Sequence, residues 1–416
     1  MKPKFHEKGQ ALILIALAAI GLFAFAALAI DGSRLYSEKR HAQNAADAAA
    51  LAGALAYTRN NGISINDITG IAQNRATSNG YDNGISNDVS ISVADVTSSS
   101  GGCPGNTAGK DVTVDIVTYV NTSLARVIGR NQVTTAVTAT SRACGYYLAP
   151  LFNGSPIVGL NKSISTCAFD SGQSSAAHWR VKGGGIFSNG CAYSKHNNSV
   201  TFDPGECATS VGSSSGFTCQ YENQTSKIIN YPSDVLKIMP SNPCDGDPDD
   251  IGLPPPTSGS TFTNGVYCIS DFDKYDQKDI VLNNATLYVT DTDFDLRFAG
   301  GGGFSGSATT GGTYTGSEPY ANYYVIIAYD STPCESFTDH NAQVVVFRGN
   351  SSGTYSGTIL APSACLDLRG NGESSGIYTQ VIGYNVSSNG NAEVYINYEE
   401  DKGHRDPVYP TISVLR

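Results

Sequence analysis

Residues 11–30, ALILIALAAIGLFAFAALAI, carry no formal charge and run directly into Asp31. As a helix rising about 1.5 Å per residue, this stretch spans about 30 Å, the depth of the bilayer hydrocarbon. It exceeds the roughly 7–15 apolar residues of a secretory signal, and it ends in a carboxylate rather than a small-residue cleavage site, so the segment reads as one that stays on the protein. The helix does not stop there. No proline occurs between Asp31 and Tyr57, and AADAAALAGALA (45–56) is built of the strongest helix formers, which predicts a single rod of about 45 residues. Ala45, Ala49, Ala52, Gly53 and Ala56 form a low-relief face that another helix can approach closely. The alternative is a stiff stalk with no partner.

Lysines at 2, 4 and 8 on one side of the apolar run face Arg34, Lys39 and Arg40 on the other, so charge does not set the orientation. Cysteine does. Cys103, Cys144, Cys167, Cys191, Cys207, Cys219, Cys244, Cys268, Cys334 and Cys365 all follow the run, with no CxxC or Cys/His pairing of the kind zinc requires. They read as disulfides formed in an oxidising compartment, which puts the C-terminal part outside the cytoplasm. A formal charge of −11, without a local Lys/Arg cluster, argues against nucleic acid as a partner.

The stretch KGQALILIALAAIGLFAFAALAIDGSRLYSEKRHAQNAADAAALAGALA resembles the N-terminal region of TadE/TadG-like proteins of Flp (tight adherence) pilus systems. The shared features are a basic residue, a Gly-Gln pair, an apolar run, an Asp, and an alanine-rich helix with an internal Asp. The resemblance implies that Gly9 and Gln10 flank a prepilin-peptidase cut at the cytoplasmic face, making residues 1–9 a leader stub and 10–60 the retained long helix. Leu14 occupies the fifth position after that cut, where pilin-type sites commonly carry Glu. The missing carboxylate counts against a major-pilin role.

A small α+β module is predicted over 61–145. Ile65, Ile68, Ile71 and Ala72 have helical spacing within 64–80, which ends in Asn-Gly. DVSISVADV (88–96) and DVTVDIVTYV (111–120) alternate as half-buried strands of a hairpin, TSLARVIG (122–129) reads as a short helix, and QVTTAVTAT (132–140) as a third strand. Cys103 and Cys144 are placed to tie the hairpin loop to the exit strand. The unit also resembles the region that follows a TadG-like start.

Gly and Tyr are abundant in the chain as a whole, at 45 and 23 residues, and the remainder favours strands joined by turns. A first β-rich section (146–241) and a Pro-rich linker (242–260) precede a predicted right-handed parallel β-helix over 261–416. RGN recurs at 348 and 369, and SGTI (356–359) is echoed by SGIY (375–378), a period of about twenty. AQVVVF, GTILA, CLDL, GIYTQVIGYNV and AEVYI supply short strands, with KGGGIFSNGCAYS and DIVLNNATLYVT as earlier rungs. GTILAPSACLDLRGNG followed by NYEED resembles the β-helical domains of bacterial pilus-type surface proteins.

No motif for chemistry has its required context. GSSSG (212–216) sits in a Ser-rich loop without the strand-to-helix elbow that a nucleophilic Ser214 needs. GGGFSG (301–306) is followed by SATTGGTYTG rather than a helix. Asp291, Asp293 and Asp295, and the group Asp245, Asp247, Asp249 and Asp250, lack EF-hand spacing and read as solvated. His6, His41, His178, His196, His340 and His404 show no metal pairing and read as surface or loop residues. We therefore expect no catalytic, cofactor or metal site. The expected protein is a single-pass bacterial membrane or pilus-surface protein, its C-terminal part extracytoplasmic, that acts in pilus assembly or adhesion. Its expected partners are the membrane, other pilin-like subunits or the Tad assembly machinery, and surface glycans. The rival readings are a plain membrane-tethered surface protein and a β-helical polysaccharide-degrading enzyme.

Overall fold

The computed structural model describes residues 10–60, 62–97, 101–163, 166–172, 177–196, 199–219, 223–225, 228–246, 252–275, 278–291, 295–296, 303–310, 319–338, 343–349, 354–370, 378–390 and 393–415. The chain forms two compact units, one of residues up to 148 together with 407 onward, the other of residues 149–406.

The first unit is organised by α1 (Gln10–Arg59), one uninterrupted helix of 50 residues. Its first part is exposed on every side, with Leu22 at 72% and Phe23 at 76%. Its second part buries a stripe of Ala42, Ala45, Ala46, Ala49, Ala50, Ala54 and Tyr57, residues that recur at three- and four-residue steps and so share a face. α2 (Ile65–Ser78) starts at Ser64, whose Oγ accepts the Asp67 N–H at 3.1 Å, and it buries Ile68, Ala72 and Ala76. Strands β1 (Asn87–Asp95), β2 (Gly109–Asn121) and β3 (Gln132–Cys144) form the predicted antiparallel sheet, with Val89 opposite Ile116 and Ile116 opposite Val137. The predicted helix over 122–129 shrinks to a single 3-10 turn, Ala125–Ile128. The reason is local. Gly129 turns left-handed at φ +83°, and the Thr122 N–H already bonds to the Asn131 carbonyl, so the hairpin closes around one turn.

A fourth strand of this sheet, Thr411–Leu415, comes from the far end of the chain and pairs antiparallel with β3, Ile412 opposite Ala143. Sequence reasoning did not foresee it. The side chains around it identify its role: Ile412 packs with Ala54, Tyr57, Ile68 and Ala143.

The second unit is a mostly β domain on a curled, parallel sheet. Ile157–Gly159 pairs on one side with Ile186–Ser188, which pairs with Ala208–Ser210 and then Asn223–Gln224. On its other side Ile157–Gly159 pairs with residues 381–383, which are followed by 359–361, then 325–326, then the strand Ile280–Val289, then Thr261–Ile269. One arm therefore winds away from the middle as the sequence advances, and the other winds back toward it. A second strip stacks His178–Lys182 between Val200–Phe202 and Glu393–Asn397. Trp179, Phe169, Phe304, Phe347 and Tyr324 fill the interior.

The repeat that sequence suggested is real in part. Arg348 and Gly349 pair with Arg369 and Gly370, as the RGN spacing required. The second echo is set differently: Ser356 bridges Tyr378 and Ile359 pairs with Val381, a step of twenty-two residues rather than nineteen. Elsewhere the step lengthens, as between Leu287 and Val325. Buried asparagines join neighbouring turns: Asn161 Nδ2 donates to Asn385 Oδ1 at 3.0 Å, and Asn385 Nδ2 donates to the Cys334 carbonyl at 2.9 Å.

All ten cysteines are paired, as Cys103–Cys144, Cys167–Cys191, Cys207–Cys219, Cys244–Cys268 and Cys334–Cys365. The first links the β1–β2 connection to the end of β3, the pairing expected for the module.

Candidate functional site at the foot of the long helix

Among the described residues nothing buries the apolar part of α1, and its length and hydropathy suffice to cross a membrane. An exposed stripe this large is costly in water, since each apolar Å² costs roughly 25 cal/mol of hydration. What happens where it ends defines the site.

Asp31 is the first charged residue after the run. Its carboxylate accepts three backbone N–H groups from the β2–β3 connection: Ser123 at 2.8 Å, Leu124 at 3.0 Å and Ala125 at 2.7 Å. Arg34 Nη1 donates to Ser123 Oγ at 2.7 Å. The bonds from Ala125 and Ser123 hold the Asp31 carboxyl below the usual carboxylate range, against a smaller opposing effect of desolvation. Two turns further along, the buried Tyr81 Oη donates to Glu38 Oε1 at 2.9 Å and lies 3.0 Å from His41 Nδ1. Burial, and then the bond to Glu38, push the Tyr81 phenol up. These contacts fix α1 to the module from its first charged residue.

The alanine face then does its work inside the protein. A Cβ on Gly53 would lie 2.9 Å from Val112 Cγ1, 3.3 Å from Ile68 Cγ2 and 3.4 Å from Ala72 Cβ. The helix expected to approach this face is α2 of the same chain, and β2 shares the contact. Ala45, Ala49 and Gly53 are buried there, while Ala52 and Ala56 are half-buried at the margin. Arg142 Nε and Nη2 each donate to Asp111 at 2.8 Å, bracing β3 against β2 behind this packing.

Of the processing residues, Gly9 lies outside the described residues and Gln10 is the first residue of α1. Ser214 lies in a two-residue strand paired with Ala192, not on an elbow. Phe304–Ser307 is a strand, so the GGGFSG run has no helix to hold a phosphate; its first two glycines lie outside the described residues. Asp291 accepts the Phe272 N–H at 3.4 Å and Asp245 accepts from Asn242 Nδ2, each an internal bond. Asp293, Asp247, Asp249, Asp250, His6 and His340 fall outside the described residues, and of Asp295 only the backbone is described, in a two-residue strand. His41, His178 and His196 are exposed as expected. His404 is not: it is 4% exposed, stacks on Tyr323 at 4.0 Å, and its Nδ1 lies 2.7 Å from the Ala321 carbonyl. It is a structural core histidine. Among the described residues, no three His, Cys, Asp or Glu side chains converge as metal ligands.

A family model described as putative Flp pilus-assembly TadE/G-like matches residues 9–56. The matched segment contains the apolar run, Asp31 and the alanine face. No curated protein and no solved structure matches the chain. The N-terminal part is thus similar to a class of pilus-assembly proteins that begin with an apolar helix, and it fits a membrane-anchored, single-pass protein. The likeness is to the TadE/G-like kind within that class and covers residues 9–56 alone.

Proposed function

We propose that this chain is a membrane-anchored, Flp pilus-associated surface protein that acts in pilus assembly or adhesion and not in catalysis. The observation that supports the reading is the continuity of α1: one helix supplies the apolar segment and, without a break, the face on which the α+β module is built. The anchor and the folded body are mechanically one piece. On this reading residues 1–9 lie in the cytoplasm, the disulfide-bonded part lies beyond the membrane, and neighbouring pilin-like subunits or the Tad machinery meet the helix in the bilayer. We further read the curled parallel sheet as a right-handed parallel β-helix, whose strips of stacked strands are its faces and whose outward surface meets a solid surface or glycan.

Fractionating cells that express the full chain, and a variant lacking residues 11–30, tests the anchor. The full chain is expected in the membrane or sheared-fibre fraction with all thiols resistant to alkylation. Immunogold labelling with an antibody to residues 261–416 is expected at the cell surface. A full-length chain recovered from the cytosol with reduced cysteines refutes the proposal.

A further inference from the structure

The first unit has a definite lower end. Asp31 stands one residue past the apolar run, about 1.5 Å along the axis, and Arg34 about 6 Å. Their bonds hold Ser123–Ala125 at that level. The turn before β1 is at the same end, because Asn87 pairs with Thr118 and the Tyr119 N–H bonds to the Ser86 carbonyl at 2.9 Å. Bilayer headgroups occupy about 5–8 Å on each side of the hydrocarbon. With residues 11–30 spanning that hydrocarbon, Ser123–Ala125 fall inside the headgroup layer, and the turn before β1 faces it from the same end of the sheet.

The chemistry of the two tips matches that layer. Ile85 is 101% exposed, and Leu124, though partly covered, is 38% exposed. Arg126, Arg130 and Arg34 are exposed beside them. Of the nearby carboxylates, Asp31 is held by three amides, Asp88 is exposed and accepts the Tyr119 hydroxyl at 2.7 Å, and Asp82 is exposed. In a chain of net charge −11, Arg126 and Arg130 are exposed cations on the same connection as Leu124. That is the pattern of a surface that inserts apolar side chains between anionic headgroups.

We propose that the connections 82–86 and 122–131 form a second membrane contact, in which Ile85 and Leu124 enter the interface and Arg126 and Arg130 bind the phosphates of anionic phospholipids. The contact rests on the anchor reading above. It makes the module sit down on the bilayer rather than swing above it.

The test uses the full-length chain, one copy per nanodisc, in bilayers of phosphatidylcholine with phosphatidylglycerol. A fluorophore is attached to a single introduced cysteine in Ile85→Cys, Leu124→Cys, Ile65→Cys or Leu22→Cys. Labels at 85 and 124 are expected to be quenched by brominated acyl chains and shielded from iodide, and the label at 65 the reverse. Arg126→Glu with Arg130→Glu is expected to abolish lipid quenching at 124. If labels 85 and 124 are open to iodide while label 22 is quenched only by lipid, the contact is refuted and the anchor stands. If label 22 itself is open to iodide, the anchor fails and the contact with it. Shielding of 85 and 124 from both quenchers overturns the lipid assignment in favour of a protein surface.

Discussion

Gly53→Val isolates the contact that seats the long helix on its module. The first added carbon would stand 2.9 Å from Val112 Cγ1 and 3.3 Å from Ile68 Cγ2, both on β-branched side chains with restricted rotamers. Removing a glycine from a helix interior gains up to about 1 kcal/mol of propensity. Forcing extra methyl groups into packed space costs about 1–3 kcal/mol, and valine adds three carbons where even one does not fit. Gly53→Val is therefore expected to destabilise the module by about 1–3 kcal/mol, roughly 5- to 150-fold in opening. Gly70→Ala is the control. It lies inside α2 with nothing within 4 Å of an added Cβ, so propensity acts alone and it is expected to stabilise by about 1 kcal/mol. Amide hydrogen exchange followed by mass spectrometry on peptides from α2 and β2 reads both, in the full-length chain. Wild-type protection in Gly53→Val, or reduced protection in Gly70→Ala, would refute the packing argument.

Asp31 has a lowered carboxyl pKa in the folded protein, so its hold on residues 123–125 is complete above the ordinary value of 3.8 and is lost as pH falls through the folded value. The amide resonances of Ser123, Leu124 and Ala125 are expected to move together in that acid window, and Asp31→Asn to abolish the transition. Cys103 and Cys144 close a loop of 41 residues, and replacing both with alanine is expected to cost up to about 4 kcal/mol on the chain-entropy model, read as a lower urea midpoint for the module. Asn385→Ala leaves the Cys334 carbonyl and the Asn161 amide without their buried partner. A loss of about 1–3 kcal/mol is expected, measured as faster exchange in strands 157–159 and 381–387 and not in α2. Finally, mass spectrometry of the native N-terminus is expected to begin at Gln10, and an intact Met1 would remove the prepilin-type cut.

Local signals carried the first unit well. The unbroken α1, the capped α2 and the three alternating strands follow from proline-free alanine runs, Ser64 and period-two patterns, all written within a few residues. The seat of the alanine face was invisible, because nothing near Gly53 in sequence names Val112 or Ile68 as its neighbours. The same is true of Asp31. Its place after the apolar run was evident, but its three donors lie more than ninety residues on and are main-chain groups without a side-chain signature. In the second unit RGN gave a true strand pair because both copies lie on adjacent turns. SGTI and SGIY do not mark the true step because Ser, Gly and Ile are common in any turn-rich strand. His404 lies in a loop, one of the two expected settings, but its burial is not legible, because a lone histidine reveals nothing of the tyrosine ring that covers it.

The order of strands in the second unit has a further consequence. Both arms of the stack begin or end at one seam, where Ile157–Gly159 meets residues 381–383, and Asn223–Gln224 and Thr261–Ile269 lie farthest from it in the order of pairing. Turns inserted at either tip lengthen the body while leaving the entry and exit points untouched. Such a scroll, pinned at its midline, can lengthen or shorten its outer turns while Ile157–Gly159 and residues 381–383 stay paired.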